Sequence, residues 1–256
     1  MKPATRTAWL LVAALVGTLL SAVTFTTPAS AAEPMKLRVV TFNTDFKGAD
    51  YFKKAWDVIR PEADIVFIQE AKNVVIRDVV GKAWIVRQNT STDAKQNSAV
   101  IIRRSIVKEI RDFELVVGVE GGPCPRGGIL TRYITKVNMV LANGRWLRVA
   151  SLHMPPPRCE EGEVNRYAIM ANNVVKFANR TKRLTILGGD WNKIVDNDPY
   201  NIGERTGLKP RGPNAGKRID GFYVSKAIKT CCLHKLEKIG ENKHRPVHMT
   251  VTIPAP

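Results

Sequence analysis

Acidic residues are scarce in this chain, with 23 aspartates and glutamates against 40 lysines and arginines. The resulting positive field concentrates polyanions, whether nucleic acid, teichoic-type polymers or anionic lipid surfaces. The cations are spread (Lys53, Lys54, Arg103, Arg104, Lys108, Lys182, Arg183, Lys235, Lys238, Lys243), so no basic tail accounts for the charge. Cysteine is also sparse: Cys124, Cys159, Cys231 and Cys232 contain no Cys-x-x-Cys, which excludes a zinc ribbon. No Pro/Gly/Ser-rich linker or internal repeat divides the sequence. No long apolar hairpin suited to bilayer insertion is present, so no stable membrane association is expected, and nothing implies a protein partner.

The long apolar stretch that does occur is at the start. Lys2 and Arg6 precede an apolar run from Trp9 to Phe25, and Ala29-Ser30-Ala31 follows it. This is the pattern of a secretory signal peptide cut after Ala31, and it predicts a secreted protein. An uncleaved anchor fits less well, because Gly17, Thr18 and Ser21 interrupt the run and a small-residue cleavage pattern follows. Residues 32–256 then form one domain, long enough for a full layered core. They hold 38 of the cations and all 23 acids, a net charge near +15. In a secreted chain the four cysteines permit two disulfides in three pairings. Neighbouring Cys231 and Cys232 can bond to each other only through a small strained ring. Either each finds a partner elsewhere, or Cys124 joins Cys159 and leaves a vicinal pair.

Phe52, Ala55, Trp56 and Ile59 recur at three and four residues and predict a helix over 49–60, stopped by Pro61. Val164, Tyr167, Ala168, Ala171, Val174, Val175 and Ala178 predict a second over 163–179. The short β-branched runs at 84–86, 98–102, 106–110 and 114–119 read as strands. Asn143-Gly144 between 133–141 and 145–152 marks a hairpin, because both residues tolerate positive φ. A Gly/Pro/Asn/Arg-rich loop, Asn197 to Lys217, precedes the last strands at 218–224 and 246–253. Many strands with two or three helices predict an α/β fold, a four-layer α-β-β-α sandwich of two packed sheets with helices outside.

The apolar runs share one property: they end on polar residues. LRVVTFN leads to Asn43 and Asp45, DIVFIQE ends on Glu70, WLRVASLH on His153, and LTILGGDWN on Asp190 and Asn192. Asp220 and His244 occupy similar places farther on. A buried sheet gains nothing from such residues, so several strands ending on carboxylates, amides and imidazoles predict one convergent, metal-dependent catalytic site.

The blocks TFNTD (41–45), IQE (68–70), SLHMP (151–155), GGDWN (188–192), RIDGF (218–222) and KHRPV (243–247) resemble, in order and spacing, the endonuclease/exonuclease/phosphatase superfamily with its deoxyribonuclease-like fold. The resemblance covers Leu37 to Val251. It implies that Glu70, helped by Asn43, binds a divalent metal, Mg2+ or another such as Mn2+ or Ca2+, with Asp45 matching a further acidic position loosely. Hard cations of this kind take oxygen donors and keep several waters. By the same resemblance Asp190 and Asn192 orient the attacking water, His153 and His244 are the acid–base pair, Asp220 orients His244, and Arg132 contacts substrate phosphate. Trp191 stands where phenylalanine is usual. His234 and His248 are read as structural. One departure is chemical: Asn242-Lys243-His244 replaces Ser-Asp-His, putting a cation where an anion belongs. If Lys243 points inward, metal binding weakens; if outward, it faces substrate phosphate. The expected function is a secreted Mg2+-dependent phosphodiesterase acting on nucleic acid. The rivals are a lipid phosphodiesterase or phosphatase of the same fold, and a catalytically impaired nucleic-acid-binding protein.

Overall fold

The first strand sets the architecture. Leu37 and Val39 alternate with Val40 and Phe42 along β1 (Met35–Asn43), and all four are buried, so both faces of the strand are covered. The protein is described by a computed structural model for residues 32–256 apart from 72, 91–96 and 215–217; the predicted leader and the end of the 197–217 loop lie outside the described residues.

After β1 come α1 (Ala49–Ile59), β2 (Ile65–Gln69), α2 (Ile76–Val80), β3 (Trp84–Gln88), β4 (Ala99–Arg103) and β5 (Val107–Val119). A short pair, β6 (Gly122–Cys124) and β7 (Gly127–Ile129), precedes β8 (Arg132–Leu141), β9 (Trp146–His153), α3 (Arg166–Asn179) and β10 (Leu184–Asp190). The chain ends with α4 (Ile202–Thr206), β11 (Leu208–Arg211), β12 (Asp220–Ser225), β13 (Lys229–Lys235) and β14 (Val247–Ile253). Two six-stranded mixed sheets result, ordered β13-β14-β1-β2-β4-β3 and β11-β12-β10-β9-β8-β5. Their facing surfaces bury Leu37, Val39, Ile65 and Phe67 against Val137, Val149, Ile186 and Phe222. The outer face of the first sheet packs Val40, Phe42, Val66 and Ile68 on Phe52, Ala55, Trp56 and Ile59 of α1. The outer face of the second packs Ala150, Leu152 and Leu187 on Tyr167, Met170, Ala171 and Val174 of α3. This is the four-layer α-β-β-α sandwich.

Local differences from the sequence reading have local causes. The second helix starts at Arg166 rather than 163, because the Asn165 side chain accepts the Ala168 N–H at 2.8 Å and caps it there; Val164 lies before the cap and is exposed. The runs at 106–110 and 114–119 form one strand, β5, whose pairing with β8 is interrupted by register shifts that split its apolar pattern. The Asn143-Gly144 hairpin forms, but only Gly144 has positive φ (85°), and its N–H bonds the Leu141 carbonyl at 2.8 Å. Asn143 instead uses its side chain, accepting the Arg145 N–H at 3.1 Å. Cys124 and Cys159 form a disulfide, while Cys231 and Cys232 remain free and exposed. No helix among the described residues is long and apolar enough to cross a membrane.

One glycine governs how closely the sheets approach. Phe67 of β2 meets Phe222 of β12 edge to face, ring centres 6.0 Å apart, and a Cβ on Gly188 of β10 would lie 2.4 Å from the Phe67 ring. Gly188→Ala is therefore expected to cost about 1–3 kcal/mol by overpacking. Urea unfolding measures this; an unchanged midpoint would show that the ring has room to move.

Candidate active site

Strand register builds the site as two facing rows. In the first sheet the parallel pairing of β1 with β2 sets Asn43 beside Gln69, with Glu70 next. In the second, β10 pairs with both β9 and β12, which sets His153, Asp190 and Asp220 side by side. The rows join through Asn43, whose Nδ2 donates to Asp190 Oδ2 at 2.9 Å across 147 residues of sequence. A polar belt backs this contact: Gln69 Nε2 donates to Ser151 Oγ at 3.0 Å, and Ser151 Oγ donates to the Ile68 carbonyl at 2.8 Å. The last member arrives on a loop. Asn242, fully buried, donates from Nδ2 to the Asn43 carbonyl at 3.0 Å and accepts the His244 N–H at 2.8 Å. His244 Nδ1 then lies 2.9 Å from Asp220 Oδ2, and its Nε2 lies 3.9 Å from Asp190 Oδ2.

Asn43, Glu70, His153, Asp190, Asn192, Asp220 and His244 thus meet in one network. Asn192 returns to its own strand end, its N–H bonding Asp190 Oδ1 at 2.9 Å while Nδ2 reaches the Met154 carbonyl at 2.8 Å and His153 Nε2 at 3.1 Å. Asp45 stands at the edge, half-buried; its N–H bonds Asn43 Oδ1 at 2.9 Å, and its charge opposes ionisation of Glu70. Arg132 lies behind the site rather than on the surface: it is buried, and Nη1 contacts His153 Nδ1. Lys243 is exposed.

Backbone strain collects here. Of the eight non-glycine residues described with positive φ, Asp45, Phe46, Glu70 and Asn192 belong to this end of the sandwich (φ 52–58°). Such conformations cost free energy and persist where the surroundings enforce them. Sequence reasoning missed two residues. Asn242 carries only a weak sequence signal, an amide two residues before the histidine. Phe46, exposed beside Asp45, carried no periodic signal.

The electrostatics separate the two histidines. Burial, then the charges of Arg132 and His244, hold His153 well below the usual imidazole range, so it is neutral. Arg132 Nη1 lies against Nδ1 and Asn192 Nδ2 against Nε2, with Asp190 Oδ2 3.5 Å from Nε2. Burial also opposes charge on His244, but the hydrogen bond and charge of Asp220, with Asp190 and Glu70, outweigh it and raise His244 to about 9. Asp190 is pushed up by burial and then by the Asp220 carboxylate beside it. Glu70 is raised chiefly by burial, against the opposing pull of Arg132. Arg132 itself is lowered to about 10 by burial.

The donor set fits a divalent metal. Four carboxylates, those of Asp45, Glu70, Asp190 and Asp220, converge on one guanidinium and one imidazolium, and Asp220 Oδ1 is buried without any hydrogen-bond partner. An oxygen-rich, under-neutralised cradle of this kind suits a hard cation. Asp190, Asp220 and His244 also place ligand atoms within 4.8 Å of one another.

No known family profile matches the sequence, and no curated protein matches it. Solved structures do. An endonuclease/exonuclease/phosphatase from Bacteroides vulgatus superposes with a TM-score of 0.67 at 15% identity, covering 86% of this chain and 99% of its own. The fold is that of the endonuclease/exonuclease/phosphatase superfamily. D. rerio TDP2 complexed with single-strand DNA product gives 0.62 at 14% identity over 84% of this chain and 98% of that one. ANGEL2, a 2′,3′-cyclic phosphatase solved with adenosine-2′,3′-vanadate, gives 0.64 at 11% identity over 86% and 96%. Within this endonuclease/exonuclease/phosphatase fold, the deciding local pair is His244 with Asp220.

A raised histidine stabilises the fold while protonated. Its contribution is complete below the unfolded value near 6.5 and is lost as pH climbs through about 9. NMR titration of the His244 ring in metal-free protein should show the raised value, and Asp220→Asn should return it toward 6.5. A wild-type ring titrating with an ordinary midpoint would break the assigned pairing.

Proposed function

We propose that this chain is a secreted, divalent-metal-dependent phosphodiesterase whose substrate is nucleic acid. The observation carrying the proposal is the joining of two strand-end rows, Asn43–Glu70 and His153–Asp190–Asp220, into one network with His244. Glu70 with Asn43, and Asp45 at the edge, would hold the metal, which when bound supplies Lewis-acid polarisation of the phosphoryl group. Asp190 is aligned by Asn43 and by the Asn192 N–H, and its raised affinity for a proton suits it to take one from an attacking water. His244, protonated and held by Asp220, is the group able to give a proton to the leaving oxygen. His153, neutral, positions Asn192 from its Nε2 side, with Arg132 as a fixed positive charge behind it. The sequence leaves open which of the two histidines is the acid; this reading gives that role to His244.

Nucleic acid is favoured among phosphodiesters for two reasons. The net charge near +15 draws polyanions, and the fold is shared with a TDP2 structure holding DNA product. The impaired-binder alternative required Lys243 to intrude on the metal cradle; its side chain is exposed instead. The leader pattern in residues 1–31 and the Cys124–Cys159 disulfide both support an extracellular site of action.

Plasmid and single-stranded DNA digested with and without magnesium test the proposal. His244→Ala and Asp190→Asn are each expected to lower kcat by about 10²- to 10⁴-fold. Glu70→Gln should instead weaken magnesium binding, read by calorimetry. Cleavage that persists in chelator, or that survives His244→Ala, rejects the mechanism.

A further inference from the structure

A second basic feature lies away from the catalytic rows. Along the free edge of β3 runs a cleft of about 720 Å³, lined by Arg77, Lys82, Arg87 and Arg104 and floored in part by Trp84 and Ile110. No acidic residue lines it. Among the described residues none of its four cations is paired with a carboxylate. Arg87 Nη1 and Arg104 Nε each donate only to a backbone carbonyl, of Val86 at 3.1 Å and Lys82 at 3.2 Å. Glu109, beside Ile110 in sequence, pairs with Arg111 at 2.7 Å, and Asp64 pairs with Arg38 and Arg103. Like charges around a low-dielectric floor focus the field outward, and a row of guanidinium forks suits phosphate oxygens.

Register gives the cleft a direction. Trp84 lies opposite Arg103, and Ile65 lies opposite Ile102, so the Trp84 end sits level with the start of β2. Glu70 is five residues farther along, roughly 16 Å. Arg87 lies opposite Val100, which lies opposite Phe67, three residues short of Glu70. Arg87 thus lies on the catalytic side of Trp84, while Lys82 and Arg104 flank the Trp84 end.

We infer that this cleft is an exosite for the phosphodiester backbone of nucleic acid, engaging the polymer at a distance from the bond being cut. The inference rests on the nucleic-acid reading above and adds to it a length requirement: polymer long enough to span both sites binds through both.

The test uses the whole protein in EDTA, with a fluorescein-labelled DNA duplex of about 20 base pairs followed by anisotropy over a salt series. Each phosphate contact contributes about 0.9 to the slope of log K against log salt, so Arg77→Gln/Lys82→Gln/Arg104→Gln should lower that slope by about 2.7. A control removing equal charge from exposed residues elsewhere, Lys53→Gln/Lys54→Gln/Lys238→Gln, should lower it by less than about 1. Equal losses in the two variants, or none in the first, overturn the exosite. So does a wild type that binds polyglutamate but not DNA, which would assign the cleft to acidic polypeptide. Magnesium-dependent hydrolysis of bis(p-nitrophenyl) phosphate reports on the catalytic end alone. Its absence would sink the proposed activity, while anisotropy still decides the cleft.

Discussion

The hydrogen bond from Asn43 to Asp190 is the contact on which the rest of the site depends. It is buried, it spans the gap between the two sheets, and each partner sits at the last residue of a strand whose register is fixed by an apolar core. Burying an amide and a carboxylate together is unfavourable unless each is satisfied, and a slip of one residue in either strand would turn that strand's partner to the opposite face. Hence the interdigitated core between the sheets, including Phe67 over Gly188, fixes the registers that bring the two rows together.

That dependence explains why much of the site was legible in sequence. Core strands must be apolar, so a polar residue at the end of an apolar run stands out, and Asn43, Glu70, His153, Asp190 and Asp220 were each found this way. The helix ending before Pro61 was legible for the related reason that its buried stripe is unbroken. What escaped notice lacked such contrast. Strand β13 carries Cys231 and Cys232 on an exposed edge with an irregular register against β14, so no alternation marks it. Asn242 acts through backbone groups of Asn43 and His244, and hydrogen bonds to backbone leave little trace in composition. The hairpin at 142–145 was visible, but its turn type depends on the φ of Asn143, which residue identity does not determine.

The two histidines show how position rather than residue type sets chemistry. Both terminate apolar elements or approach them, and sequence treated them as equivalent. Yet one is enclosed with a guanidinium at Nδ1 and an amide at Nε2, whereas the other has a carboxylate at Nδ1 and opens partly to solvent. A positive neighbour drives the first toward neutrality and a negative neighbour holds the proton on the second. A pair with opposite proton affinities is what acid–base division of labour requires.

Charge balance links the interior to the surface. Burial first, and neighbouring carboxylates after it, raise Glu70 and Asp190 above their ordinary values, against the opposing charges of Arg132 and His244. A phosphodiester approaching such a cradle meets like charge at close range. Capture from solution is a separate matter, set by a field that acts over about a Debye length, near 10 Å. The basic exterior, including the cleft beside β3, supplies such a field at the surface. Lys243, exposed where the related pattern has an acid, adds to that exterior charge rather than to the interior.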